Sequence, residues 1–344
     1  MKQVRSFDDI LGSEKLTAYI RESAAKGTIP HAVMLVGEEG SGKKTFARLF
    51  SKTIQCEKRA AAGAGPDTAD PCMECQSCRQ VDAGQHPDIV MIGPDEGKKT
   101  RTISVKTIRG TIAEGAFIKP YKGPFKIYIV ERAESMTAEA QNALLKILEE
   151  PPAYIVIILL STDEESLLDT VRSRCVIFHT GAVDQDLIQQ YLQDELMVPD
   201  YLARPAARFA RGNIGKAAQL VSSTGFRELY DQVVQYFEKA RFFEFDRILE
   251  IEEELAKDMP ECEQFLDLVH LYLRDILTVK CATGGDLFFA DEAEKVEEAA
   301  SRLSFKAVDE IHDGIFTVRE RIEQNVAPDM ALEVLLALIK EKML

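Results

Sequence analysis

The chain has 344 residues, of which 46% are hydrophobic and 29% charged, a composition typical of a globular protein with two or three domains. Its formal net charge of −15 excludes a general affinity for nucleic acid, so any DNA contact must be local or made through partners. The longest apolar runs are too short to cross a bilayer and the N-terminus lacks a secretory signal, which predicts a cytoplasmic protein.

The first half of the chain alternates helical and strand-like segments. Helices are predicted over residues 13–25, 43–55 and 137–150, and apolar strands over 31–36 (HAVMLV), 88–92, 126–130 (KIYIV) and 154–160 (YIVIILL). Continuous apolar strands separated by helices are typical of a parallel sheet covered on both faces. The sequence therefore predicts an α/β domain.

After about residue 180 the strand signal disappears. Short helices are predicted over 185–195 and 201–210, closed by Gly212 and Gly215, and everything from Gly225 onward has the pattern of amphipathic helices. Two helices show a clear apolar face, formed by Phe265, Leu268, Val269, Tyr272, Leu273 and Ile276 in one, and by Leu332, Leu335, Leu336 and Ile339 in the other.

A glycine-rich loop joins the first predicted strand to the next helix, with the sequence Gly37-Glu-Glu-Gly40-Ser-Gly42-Lys43-Lys44-Thr45. This context is that of a phosphate-cradling P-loop, in which backbone N–H groups converge on an anion and the lysine reaches the β- and γ-phosphates. We expect ATP or ADP binding here. In active sites of this type a hydroxyl directly after the lysine holds Mg²⁺, but Lys44 occupies that position and Thr45 comes one residue late.

A second departure follows the strand over 126–130. Hydrolysing ATPases place an Asp-Glu pair there, one carboxylate for Mg²⁺ and one to polarise water. This chain has Glu131 in the first place and Arg132 in the second, and an arginine cannot act as a general base. Both departures predict that ATP hydrolysis is lost.

Four cysteines are grouped in the pattern C-x15-C-x2-C-x2-C, at Cys56, Cys72, Cys75 and Cys78. Zinc favours four tetrahedral thiolates, and C-x2-C turns bring two of them onto one metal, so we predict a closed structural Zn²⁺ site. A redox dithiol and an iron–sulfur cluster are the alternatives. Cys262 and Cys281 lie in helical segments and are predicted to be core residues.

Three further motifs complete a family resemblance. They are TAEAQNALLKILEEPP over 137–152, Ser173-Arg174-Cys175, and Asn325-x-x-Pro328 before a last helix. With the P-loop and the cysteine module, they make most of the chain similar to the clamp-loader AAA+ subunits of bacterial DNA polymerase III. The resemblance implies three domains: an AAA+-like P-loop domain over 1–180 with the zinc module at 56–78, a small helical lid over 181–222, and a helical collar over 223–344.

The resemblance also separates two branches of that family. The gamma/tau motor subunits carry an arginine in the lid, where the matching segment Gly212-Asn-Ile-Gly-Lys-Ala217 has Gly215. With the two departures above, this favours the delta-prime branch, whose members act as stators and supply the Ser-Arg-Cys arginine, here Arg174, in trans to a neighbour's ATP. The implied partners are gamma/tau and delta subunits, with the sliding clamp and primer-template DNA reached through the complex. The alternative is an active gamma/tau-type clamp-loader ATPase.

Overall fold

A computed structural model describes residues 4–62, 70–94, 102–222, 225–282 and 284–344. The chain separates into two compact units. The sheet unit comprises Met1–Ile188 and Ala210–Lys216, and the helical unit comprises Gln189–Phe209 and Ala217–Leu344. The division into three domains stays a prediction.

The sheet unit is built around five parallel strands. They are β1 (Ala32–Val36), β2 (Ile89–Ile92), β3 (Lys126–Val130), β4 (Ile155–Ser161) and β5 (Val176–His179), in the order β2-β3-β4-β1-β5. Every residue of β1 and β4 is buried, as continuous apolar strands in the middle of a covered parallel sheet require. The order places the ends of β3, β4 and β1 side by side, where the loops after them can form one site.

Helices cover both faces of this sheet. They are α1 (Glu14–Lys26), α2 (Lys43–Gln55), α3 (Glu57–Ala62), α4 (Gln76–Asp82), α5 (Val105–Ile108), α6 (Ala138–Glu149) and α7 (Asp169–Arg172), and a π-helical turn (Arg109–Ala113) continues α5. One apolar core lies between the sheet and α1 and α2, with Phe46 and Phe50 at its centre. The other lies on the opposite face and includes Leu144 and Ile147 of α6.

The remaining helices are α8 (Gln185–Leu196), α9 (Asp200–Phe209), α10 (Ile214–Ser222), α11 (Gly225–Lys239), α12 (Phe245–Leu255), α13 (Met259–Lys280), α14 (Ala293–Arg302), α15 (Phe305–Glu323) and α16 (Pro328–Met343). The two predicted apolar faces are buried, that of α13 and that of α16. No helix within the described ranges is long and apolar enough to cross a membrane.

The predicted α/β class is confirmed, and the described residues after the sheet form helices and no strand. Some details differ from the prediction, and the short helices α3, α4 and α5 were not predicted. β5 was not predicted. Gly215 does not close a helix, because it lies in the first turn of α10. Cys262 is buried as expected, whereas Cys281, predicted as core, is exposed just beyond the end of α13.

Candidate functional site

The glycine loop follows β1 and ends where α2 begins, as the sequence predicted. Gly40 and Gly42 both have φ of +87°, a left-handed conformation that favours glycine, and Gly42 caps α2. Gly37 is needed for space, because a Cβ there would lie 1.9 Å from Thr180 Oγ1. Thr180 follows β5 and donates a hydrogen bond to Ser41 Oγ at 2.9 Å, so the loop is held against the neighbouring strand end.

Lys43 turns into the loop. Its Nζ donates to the carbonyl oxygens of Gly37 at 2.5 Å and Glu38 at 2.7 Å, and its side chain is buried. Burial lowers the pKa of Lys43, and the carboxylate of Glu134 is the strongest of the charges that oppose this. The ammonium group therefore lies where a P-loop lysine meets phosphates.

Lys44 and Glu131 form an ion pair. In the sequence, Lys44 departs from the P-loop pattern and Glu131 matches the first of the two expected carboxylates. Lys44 Nζ lies 2.6 Å from Glu131 Oε1. The lysine side chain is 53% exposed and the glutamate 28%, so the pair lies at the mouth of the loop. The position after the P-loop lysine and the first carboxylate after β3 are the two that hold Mg²⁺ in active P-loop ATPases. In this chain the first of these positions is Lys44, and its ammonium group contacts the carboxylate of Glu131 at the second. Thr45, one residue later on α2, is half-buried.

After β3 the backbone turns sharply at Arg132, which has φ of +54° and an exposed side chain. Arg132 thus presents a cation where the water-polarising carboxylate was expected. The carboxylate facing the loop is instead that of Glu134, which the sequence analysis did not single out. Glu134 Oε2 accepts hydrogen bonds from Ser161 Oγ at 3.1 Å and Thr162 N at 3.2 Å, at the end of β4. The signal available in the sequence was a second glutamate just past the end of β3.

The segment around Gly215 packs directly on the glycine loop. Gly215 N donates to Gly40 O at 3.1 Å, and Asn213 Nδ2 donates to Glu39 O at 2.8 Å. A Cβ at position 215 would lie 2.4 Å from Gly40 O and 2.8 Å from Gly40 Cα. The place where the family resemblance expects an arginine therefore has no room for a side chain in this arrangement.

Arg174 lies after α7 and is bound by its own chain. Its guanidinium contacts Glu149 Oε1 at 2.9 Å and donates to Thr170 O at 2.9 Å, and its side chain remains 34% exposed. Glu149 ends α6 and belongs to the ILEEPP run, which links two motifs that the sequence showed separately. Its neighbour Arg172 pairs with other carboxylates, Glu164 at 2.9 Å and Asp169 at 3.0 Å.

The four grouped cysteines converge. Their sulfur atoms, on Cys56, Cys72, Cys75 and Cys78, all lie within 4.8 Å of one another, and each is a free cysteine. Cys56 follows the last residue of α2, and Cys75 caps the start of α4. Burial would raise the pKa of Cys72, but backbone N–H groups of Glu74 and Cys75 outweigh it and lower the pKa to about 7. The convergence of four thiols, rather than their individual pKa values, fits the donor set of a tetrahedral Zn²⁺ site, since burial raises the pKa of Cys56 and Cys78.

Comparisons with known proteins match most of the chain to subunits of DNA polymerase III. A family model described as "DNA polymerase III, delta subunit" matches residues 12–183, and one described as "DNA polymerase III, delta subunit, C terminal" matches residues 225–341. The DNA polymerase III subunit delta' of Bacillus subtilis is 26% identical over 326 residues, which cover 93% of each chain.

The motor-type subunits are also related. The tau/gamma subunit of Haemophilus influenzae is 30% identical over 238 residues, 67% of this chain but 33% of that protein, so the chain matches about a third of that relative's length. Among solved structures, a gamma subunit-related protein of Thermotoga maritima is 19% identical with a TM-score of 0.36, covering 96% of this chain and 99% of that one.

Proposed function

This chain belongs to the DNA polymerase III delta subunit family, and on that premise we propose that it is a delta-prime-type clamp-loader subunit. In this proposal it acts as a largely non-hydrolysing stator. It supplies Arg174 in trans to a neighbouring ATPase subunit during loading of the sliding clamp for DNA replication. The chain would be a non-catalytic component of the DNA-directed DNA polymerase holoenzyme, located in the cytoplasm.

The observation that carries the stator role is the ion pair between Lys44 and Glu131 at 2.6 Å. A P-loop ATPase needs Mg²⁺ at these two positions to neutralise the charge that develops on the transferred phosphoryl group. An ammonium group can neutralise one charge, but it cannot ligate a metal. Arg132 in place of the second carboxylate and the tight approach of Gly215 to Gly40 support the same role.

Arg174 supports the role in trans. Its contacts with Glu149 and Thr170 hold the guanidinium at the end of α6, while a third of the side chain remains accessible. Such a side chain can meet a phosphate of another subunit without first leaving a buried position. An arginine supplied to a neighbour's nucleotide is worth about 10³–10⁵ in turnover where hydrolysis depends on it.

We assign a structural role to Zn²⁺ at the four cysteines. With all four positions taken by protein thiolates, the site has no open position for chemistry, so the metal would tie the end of α2 to the start of α4. The nucleotide loop, from Gly37 to Thr45, would hold ATP or ADP without turning it over. The three-domain division, with a lid over 181–222 and a collar over 223–344, is part of the proposal.

The proposed partners are gamma/tau and delta subunits, with the clamp and primer-template DNA met through the complex. The test is reconstitution of this chain with those subunits and measurement of ATP-dependent clamp loading. Arg174→Ala is expected to lower loading strongly, whereas Arg172→Ala, two residues away and paired with other carboxylates, is a matched control expected to load normally. Equal loading by both variants would refute the role of Arg174.

An active gamma/tau-type ATPase is a second candidate, favoured by the intact sequence from Gly37 to Lys43 and by the 30% identity to a tau/gamma subunit. ATP turnover by the isolated chain separates the two. Hydrolysis that Lys43→Ala abolishes would establish the motor, and background turnover would leave the stator.

A further inference from the structure

Lys44 lies at the position where active P-loop proteins have a metal-binding hydroxyl. It is the second residue of α2, directly after the buried Lys43, and its ammonium group reaches Glu131 Oε1 at 2.6 Å. Active P-loop proteins hold Mg²⁺ with a hydroxyl at the first of these positions and a carboxylate at the second. The ammonium therefore supplies a positive charge at the point where the metal would.

The ammonium can also make the contacts with phosphate that the metal would make. A lysine has three N–H donors, and Lys44 Nζ lies 2.6 Å from Glu131 Oε1 in an ion pair. The N–H groups of Lys44 are available to phosphate oxygens at the mouth of the loop, because its side chain is 53% exposed. Charge-assisted hydrogen bonds of this kind are the strong ones in phosphate recognition.

The surroundings disfavour a divalent cation in addition to the ammonium. A Mg²⁺ ion bound by Glu131 would have to displace Lys44 from that carboxylate, and it would lose the hydroxyl ligand that Lys44 replaces. The other cation of the loop, Lys43, is held by the carbonyls of Gly37 and Glu38 and is not lost in the exchange.

We infer that this loop binds nucleoside di- or triphosphates without a divalent cation, with Lys44 taking the place of Mg²⁺. The inference rests on the proposed role of the loop as a nucleotide site. It adds that the metal is dispensable for binding. A site of this kind holds its nucleotide as a fixed structural ligand, since the group that activates the phosphate for transfer is absent.

The test uses the full chain and N-methylanthraniloyl-ADP, with fluorescence titrations in EDTA and in excess Mg²⁺. The parent chain is expected to bind at least as tightly in EDTA as in Mg²⁺. Lys44→Thr restores the hydroxyl and removes the ammonium, so it should bind at least about tenfold more weakly in EDTA than in Mg²⁺, the equivalent of one charge-assisted hydrogen bond. Arg48→Thr removes a positive charge from an exposed position one turn further along α2 and serves as the matched control, with the parent's behaviour expected.

Glu131→Gln gives a second measurement should Lys44→Thr fail to fold. It keeps the ammonium and removes a negative charge beside the phosphates, so binding should tighten and remain independent of Mg²⁺. Binding by the parent chain that requires Mg²⁺ would overturn the inference, and so would an absence of binding in both conditions. Either failure can be told apart from a failure of the stator role, because ATP turnover by the isolated chain and clamp loading with Arg174→Ala test that role separately.

Discussion

The packing of Gly215 on the glycine loop predicts how Gly215→Ala changes the free energy of unfolding. Helix preference and steric clash would change it in opposite directions. Gly215 lies in the first turn of α10, and in a helix alanine is favoured over glycine by up to about 1 kcal/mol. If nothing opposed this, Gly215→Ala would stabilise the protein. The structure opposes it, because the new Cβ would lie 2.4 Å from Gly40 O and 2.8 Å from Gly40 Cα.

These contacts are with backbone atoms, which cannot rotate away as a side chain would. Overpacking of this kind costs about 1–3 kcal/mol. The shift that relieves it would also weaken the hydrogen bond from Gly215 N to Gly40 O, worth about 1 kcal/mol. After the helix preference is subtracted, Gly215→Ala should lower the free energy of unfolding by about 1–3 kcal/mol.

The assay is urea denaturation followed by circular dichroism, with hydrogen exchange at the loop amides as a local readout. Gly110→Ala is the matched control, because that glycine also lies in a helical turn and a Cβ there meets nothing within 4 Å. It should be neutral or stabilising, whereas Gly215→Ala should lower stability and speed exchange at residues 37–42. If both alanines stabilise equally, the close packing of this segment on the loop is wrong, and with it the argument that position 215 has no room for an arginine.

Three other predictions concern separate parts of the chain. The purified protein should carry about one zinc ion. Cys75→Ser should remove it and expose residues 56–62 and 70–78 to proteolysis, while the sheet keeps its unfolding midpoint; an equal loss of stability in the sheet would contradict a local role. Burial raises the pKa of Glu252 to about 7 from an ordinary 4.5, so the folded state holds a proton that the unfolded state releases, and stability should fall as pH rises from about 4.5 through 7. Glu252→Gln should abolish that slope and stabilise the protein by about 3 kcal/mol at pH 8, measured by denaturation across pH; an unchanged slope would refute the assignment. Glu149→Gln should change the stability of the protein little, since an ion pair this exposed is worth at most about 1 kcal/mol. It should nevertheless lower the ATPase activity of the complex, because Arg174 loses its ion-pair partner. Glu150→Gln is the control and should leave that activity unchanged.

Local sequence signals were sufficient for the central elements of the fold. β1 and β4 are continuous apolar runs whose every residue is buried, and α2 begins at the lysine that ends the glycine loop. The apolar face of α13 was readable because side chains three and four residues apart lie on one side of a helix. In each case the pattern that predicts the element lies within the element itself.

β5 could not be predicted in this way. It has four residues, lies at the edge of the sheet and is half-buried, so it lacks the long apolar run of the central strands. It is a strand because its backbone pairs with β1, and Val33 opposite Val176 is a contact between distant parts of the chain. Cys281 was misplaced for a related reason: its helical surroundings do not show that α13 ends at Lys280 and leaves the cysteine exposed.

For the candidate site, too, the sequence indicated some features and not others. The types of residue that carry it, Lys43, Lys44, Glu131 and Arg174, were recognisable from motif positions. Their pairings were not, because the partners come from different strands and helices: Lys44 of α2 meets the end of β3, and Arg174 after α7 meets the end of α6. The roles that these pairings suggest depend on tertiary contacts, which no local pattern shows.

The central claim is that this chain contributes its chemistry at another subunit's nucleotide and not at its own. The most direct measurement is the clamp-stimulated ATPase of the reconstituted complex, with Lys43→Ala and Arg174→Ala of this chain compared side by side. The account predicts that Arg174→Ala lowers ATPase turnover, with folding, zinc content and assembly intact, while Lys43→Ala leaves turnover close to that of the parent complex. A complex crippled by Lys43→Ala and unaffected by Arg174→Ala would contradict it.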